Sequence, residues 1–100
     1  MRVTIIAEDN MVLVDGKPQT VDCKPLVAEG KHAVQWYGAF GEVEFRSEID
    51  VTKREVTRKG NEKITDFAPY QSYVDAWNVE NTKQEALKKQ TEERAKASKG

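Results

Sequence analysis

The residues of this chain whose types could do chemistry are few and scattered. His32 is the one histidine, so any Ser–His–Asp or Cys–His arrangement has to run through it. It opens the strand-like run HAVQWY, a position that suits a structural or exposed histidine better than a general base. Ser72 lies in Pro-Tyr-Gln-Ser-Tyr, which is not the glycine-flanked turn of a nucleophile elbow. Glu42 and Glu44 stand two apart on one face of a second strand-like run. Paired carboxylates do acid–base work only where one is desolvated with a raised pKa. On the polar side of an alternating strand they read as two solvated charges. Cys23 is the one cysteine, so there is no intrachain disulfide and no cysteine cluster for zinc. It reads as a small, partly buried side chain, because Lys24 alone does not make the positive, open setting of a reactive thiolate. Gly38-x-x-Gly41 has the spacing of a loop that clamps nucleic-acid backbone, but it joins strand patterns where that loop joins helices, and it holds no basic residue. No phosphate loop and no EF-hand loop occur. The residues therefore predict no catalytic site, no metal site and no cofactor.

The elements that would position these residues are β-strands for the first two-thirds of the chain. Val3, Ile5 and Ala7 alternate with Thr4 and Ile6, which predicts a strand over 2–7. Residues 11–14, MVLV, form a continuous apolar run, the pattern of a strand buried on both faces or at an interface. Asp15-Gly16 predicts a tight hairpin. Residues 17–22 then return as a strand, and Pro18, which has no N–H to give, places it at an edge. Residues 23–31 read as a loop, with Leu26 and Val27 pinning it to the core.

The alternation is clearest in His32–Phe45. His32, Val34 and Trp36 share one strand face, Val34, Trp36, Val43 and Phe45 fall on the core side, and Gly38–Gly41 form a four-residue connecting loop. Tyr37 points away from Trp36 and Phe40 sits at the loop tip, where the C-terminal helix covers them or a partner does. Ile49 and Val51 extend the sheet. Residues 52–63 are polar, with a turn at Lys59-Gly60-Asn61, and read as a ragged hairpin or mobile loop. Ile64 begins the return to the core.

A helix follows. Thr65 and Asp66 are N-cap types and Pro69 suits a first helical turn. Phe67, Tyr70, Tyr73, Val74 and Trp77 recur at spacings of three and four, the mark of one apolar helix face. Thr82-Lys83-Gln84-Glu85 has the form of a capping box, so the helix either breaks near 78–82 or runs through. Residues 83–97 are good helix formers, with Glu85–Lys89 and Glu92–Lys96 as favourable pairs of roughly 0.2–0.5 kcal/mol each. Leu87 is the one large apolar residue after Val79, and no heptad pattern supports a coiled coil. The predicted fold is α+β: a small antiparallel β domain at 1–66, as a partly open sheet or barrel, then a helical segment at 67–100. That segment packs on the sheet at 67–77 and carries a charged tail at 79–100. Trp36, Phe45, Tyr70, Tyr73 and Trp77 are the expected core anchors, and Tyr37, Phe40 and Leu87 the candidate partner contacts.

Composition narrows the function classes. At 100 residues the chain suits one domain. A formal net charge of -1 gives no general attraction to nucleic acid or anionic membrane. Residues 46–63 hold six basic residues but also four acidic ones, the composition of a mixed solvated surface. No segment approaches the ~20 apolar residues of a membrane-spanning helix. The four-residue apolar run in MRVTIIAEDN is too short for a signal peptide, so folding in the cytoplasm where the chain is made is expected.

Three segments carry a resemblance: His32-Ala33-Val34-Gln35-Trp36-Tyr37-Gly38, Gly41-Glu42-Val43-Glu44-Phe45, and Ile64-Thr65-Asp66-Phe67 with Pro69-Tyr70-Gln71-Ser72-Tyr73-Val74-Asp75-Ala76-Trp77. Their order resembles small tail-associated or tail-fibre-assembly-like proteins of tailed bacteriophages. The polar insert at 46–63 is longer than in those proteins, and the chain runs only a short way past the helix pattern. The resemblance implies a non-enzymatic tail protein of the virion, a structural subunit or adaptor. Its expected partners are other tail or tail-fibre proteins, or further copies of itself in a symmetric assembly, with neither nucleic acid nor membrane. Two alternatives stay open: a tail-fibre assembly chaperone that leaves the particle, and a host-directed binding or inhibitor protein.

Overall fold

A computed structural model describes the backbone of residues 1–98 and the side chains of residues 1–92. Eight strands and two helices occur in the order β1 (Val3–Ile6), β2 (Met11–Val14), β3 (Lys17–Thr20), α1 (Lys24–Ala28), β4 (Lys31–Trp36), β5 (Gly41–Phe45), β6 (Ser47–Asp50), β7 (Glu55–Arg58), β8 (Glu62–Ile64) and α2 (Gln71–Ser98). A single 3₁₀ turn, Ala68–Tyr70, leads into α2. Six strands make one antiparallel sheet in the order β3-β2-β1-β4-β5-β8, and β6 and β7 pair separately. The fold is α+β, and the sheet is open.

The register explains the core. Val3 lies opposite Val14 on one side and Trp36 on the other, and Ile5 opposite Val12 and Val34. Side chains two apart on a strand share a face, so these residues, joined by Val43, form one apolar surface. All of them are buried. Over this surface lie Leu26 of α1 and Phe67, Tyr70, Val74 and Trp77 at the start of the helical segment. The expected stripe at 67–77 is the stripe that packs, with Tyr73 half-buried beside it. Trp36 meets Phe67 at 5.2 Å between ring centroids.

Local chemistry accounts for the chain's turns. Asp15 and Gly16 both take positive φ, 49° and 85°, the conformation that matches hairpin twist in a two-residue turn. The Asp15 carboxylate holds it by accepting from the Arg2 backbone N–H at 2.9 Å. β3 is an edge strand, as Pro18 requires. The Asp66 carboxylate accepts from Ala68 N–H at 2.9 Å and so starts the 3₁₀ turn.

Several expectations are corrected. Residues 24–28 are helical, not loop: Pro25 sits in the first turn, where its missing N–H costs nothing, and Leu26 is buried as expected. β2 buries only Val12 and Val14, leaving Met11 and Leu13 half-exposed, because layers cover just one face of the sheet. Gly41 is the first residue of β5, opposite Trp36, so the connecting loop is Tyr37–Phe40. His32 shares no core face with Val34: the register slips between Lys31 and Ala33, and this bulge turns His32 outward. Phe45 is half-buried at the end of β5, a flank of the core more than an anchor, with Lys59 Nζ 4.4 Å from its ring centroid. Ile49 and Val51 do not extend the main sheet. Ile49 pairs with Val56 in the separate β6–β7 hairpin.

Nothing breaks α2 at 78–82. Asn81, a weak helix former in isolation, accepts from Gln19 Nε2 in β3 at 3.0 Å, and Glu80 accepts from Gln84 at 2.9 Å. One tertiary bond and one within the helix thus hold the turn that propensity leaves weak. Glu85, spaced to pair with Lys89, reaches Lys17 instead, at 3.3 Å. The Glu92–Lys96 pair lies outside the described side chains.

Candidate interaction surface

The chemistry-bearing residues are not brought together. His32 Nδ1 lies 3.5 Å from Glu8, whose carboxylate also takes Arg46 Nε at 2.7 Å. Among the described residues no hydrogen bond joins His32 to Ser72 or Cys23, so no relay runs through the histidine. Ser72 is exposed on the first turn of α2. Glu42 is exposed, while half-buried Glu44 has Arg58 at 4.0 Å. Lys31 Nζ bonds Glu29 at 2.7 Å and lies 5.3 Å from the Tyr70 ring centroid. Burial opposes its charge, and these two partners outweigh burial and raise its pKa.

Cys23 has no exposed surface, and its Sγ sits 3.2 Å from the Val21 carbonyl. Burial, with Asp22 adding to it, pushes the thiol from an ordinary 9.0 up to about 11. The thiolate is the nucleophile, so this is an inert core residue. The shift is also a stability statement. The unfolded thiol ionises near 9 and the folded one near 11, so the contribution is complete below pH 9 and lost as pH rises to 11. At about 1.4 kcal/mol per unit it amounts to roughly 2–3 kcal/mol. Urea titrations at pH 8, 9, 10 and 11 are expected to show the wild type losing this much more than Cys23→Ala. Parallel pH profiles would refute it.

Tyr37 and Phe40 do form a pair, 5.3 Å apart and tilted by 48°, in a loop closed by Tyr37 N–H donating to the Phe40 carbonyl at 2.8 Å. α2 does not cover them. They are 43% and 47% exposed, but each ring already carries a cation at 5.6 Å, Arg2 on Tyr37 and Lys63 on Phe40. Leu87 is exposed on α2, two residues past the Glu85 contact with β3. It stands apart from the aromatic pair, so the three candidate contacts make no single patch.

A stronger surface lies where residue pattern alone places sheet. In β6–β7 every residue is exposed. Ile49, Val51 and Val56 are 70%, 83% and 68% exposed. By register Ile49–Val56 and Ser47–Arg58 share one face, while Glu48–Thr57 and Asp50–Glu55 share the other. Asp50 also accepts from Thr52 and Lys53 N–H at the turn. The signal was present in the sequence: β-branched residues spaced evenly about an aspartate-capped turn. A second open surface is the uncovered face of the main sheet, where Ile6, Met11 and Leu13 are half-exposed beside Thr4 and Gln35.

In comparison with known proteins, no family model, no curated protein and no solved structure matches this chain.

Proposed function

We propose that this chain is a non-enzymatic bacteriophage tail protein, a small virion subunit or adaptor working through protein–protein contact. The order of HAVQWYG, GEVEF, ITDF and PYQSYVDAW supports the tail assignment by its resemblance to small tail proteins. One structural observation carries the contact role. Ile49, Val51, Val56, Val79 and Leu87, all more than half exposed, lie on two elements, the β6–β7 hairpin and the part of α2 at and beyond its last core residue, Trp77. Of these, Ile49 and Val56, directly opposed in the hairpin, make a contiguous apolar area of the kind that marks an interaction surface, whereas apolar residues standing singly do not.

Mass spectrometry of purified particles tests the reading. The protein is expected at stoichiometric abundance with the tail components. Its absence from finished particles would overturn the virion role. A fibre protein that then trimerised only when co-expressed with this chain would point to an assembly chaperone.

A further inference from the structure

We infer that the β6–β7 hairpin is a hinged arm, latched over a cleft at its base by ion pairs and free to swing open while the rest of the domain stays folded. The latch needs no partner, so it stands apart from the tail assignment. Every residue from Arg46 to Lys63 is exposed, and neither strand of the hairpin pairs with the main sheet. Arg46 alone joins β5 to β6, and Lys59–Asn61 join β7 to β8. These two links are the hinges. At Gly60, in the second, a Cβ would meet nothing within 4 Å, so that hinge has room to turn. The arm itself is one paired unit, with its four residue pairs in register and its turn capped by Asp50, which accepts from Thr52 and Lys53 N–H.

Charge and hydrogen bonds hold the base of the arm, not burial. Glu8, in the β1–β2 turn, takes Arg46 Nε at 2.7 Å and faces His32 Nδ1 at 3.5 Å. Arg46 N–H donates to the Gly30 carbonyl at 2.9 Å. At the other hinge Arg58 reaches Glu44 of β5 at 4.0 Å and donates to Asn61 at 3.2 Å. Lys59 Nζ is 3.5 Å from Glu62 and 4.4 Å from the Phe45 ring centroid. Between the base of the arm and the sheet lies a cleft of about 340 Å³, walled by Glu8, His32 and Phe45 on the sheet side and by Arg46, Ser47 and Arg58 on the arm side. Space there, in place of packed side chains, means that opening gives up ion pairs and little apolar burial. Exposed ion pairs are individually weak and are screened by salt, so ionic strength and two carboxylates, Glu8 and Glu44, set how much of the arm is closed.

Pulsed electron spin resonance tests this, with nitroxides on Thr52→Cys at the turn of the arm and on Ser72→Cys in α2, and with buried Cys23 left in place. At about 0.01 M salt, where the screening length is roughly 30 Å, one main distance is expected, and at about 1 M, where it is roughly 3 Å, a second population should grow. Adding Glu8→Gln and Glu44→Gln is expected to raise the open-to-closed ratio at low salt roughly two- to thirtyfold, the range for losing two exposed ion pairs, and to remove most of the salt response. The denaturant midpoint of that variant should stay close to that of its parent. A distance distribution unchanged by both salt and the two carboxylate substitutions would overturn the inference. So would a midpoint that falls in step with the opening, because the arm would then unfold with the domain and not swing from it.

Discussion

Trp77→Ala is expected to destabilise the protein by about 3–5 kcal/mol, the range for truncating a buried aromatic. Trp77 is 8% exposed, and its indole N–H donates to the Lys17 carbonyl at 2.9 Å. Lys17 belongs to the edge strand β3. The side chain therefore both fills the core and ties α2 to that edge. A domain of this size has roughly 5–15 kcal/mol in all, so the loss is a large share. At about 4–8 °C per kcal/mol, the melting temperature should fall by more than about 12 °C. The effect should also spread along the helix. Past Asn81 every described side chain of α2 is exposed, and a segment of that length is marginal without a packed nucleus. Helicity by circular dichroism should thus drop by more than one turn. Trp77→Phe separates the two roles, since it keeps the ring and loses only the hydrogen bond, at about 1 kcal/mol. A Trp77→Ala protein with wild-type helicity and a loss under about 1 kcal/mol would mean that α2 is not held through this residue.

The features legible in the sequence are those set by near neighbours. Val3, Ile5 and Ala7 declare one strand face by alternation, and Asp15-Gly16 declares its turn. Pro18 marks an edge, and Phe67 to Trp77 trace one helix face. Each depends on a few adjacent residues, and each is realised. The features missed depend on distant ones. The bulge that turns His32 outward is a mismatch between β4 and β5, visible only once both strands are paired. The continuity of α2 through 78–82 depends on Gln19 and Lys17, about sixty residues upstream. Ile49 and Val51 have strand chemistry, but whether such residues join a sheet or leave it is decided by β8, which takes the place beside β5 and leaves β6–β7 outside. The interaction surface was displaced for the same reason. Aromatic residues at a loop tip attract notice by type, yet Tyr37 and Phe40 already engage Arg2 and Lys63, while the plainer aliphatics of the hairpin have no partner within the described residues.

Gly41→Ala is expected to cost about 3 kcal/mol or more, and Gly60→Ala almost nothing. Neither glycine needs a positive φ, so the difference is one of space. Gly41 lies opposite Trp36 in the β4–β5 ladder. A Cβ there would fall on the Gln35 backbone carbonyl, with Trp36 Cε3 at 3.0 Å and Trp36 Cα at 3.1 Å. Two of these three atoms are backbone of the adjoining strand, and the third belongs to a core ring packed on Phe67, so no flexible group can yield. Relief requires parting β4 from β5 or moving Trp36, and strain of this kind in a packed interior typically costs about 1–3 kcal/mol, occasionally more. The upper end applies because ladder and core are disturbed together. Around Gly60 a Cβ meets nothing within 4 Å, so alanine there should be neutral or stabilise by up to about 1 kcal/mol through the unfolded chain. Denaturant midpoints of the two variants should therefore move in opposite directions, or only the first should move. Equal, small shifts would mean that the Tyr37–Phe40 loop does not bring the strands together at Gly41. The residue would then be a loop glycine, and the close approach of the two strands that seats Trp36 over Phe67 would be lost from the account of the core.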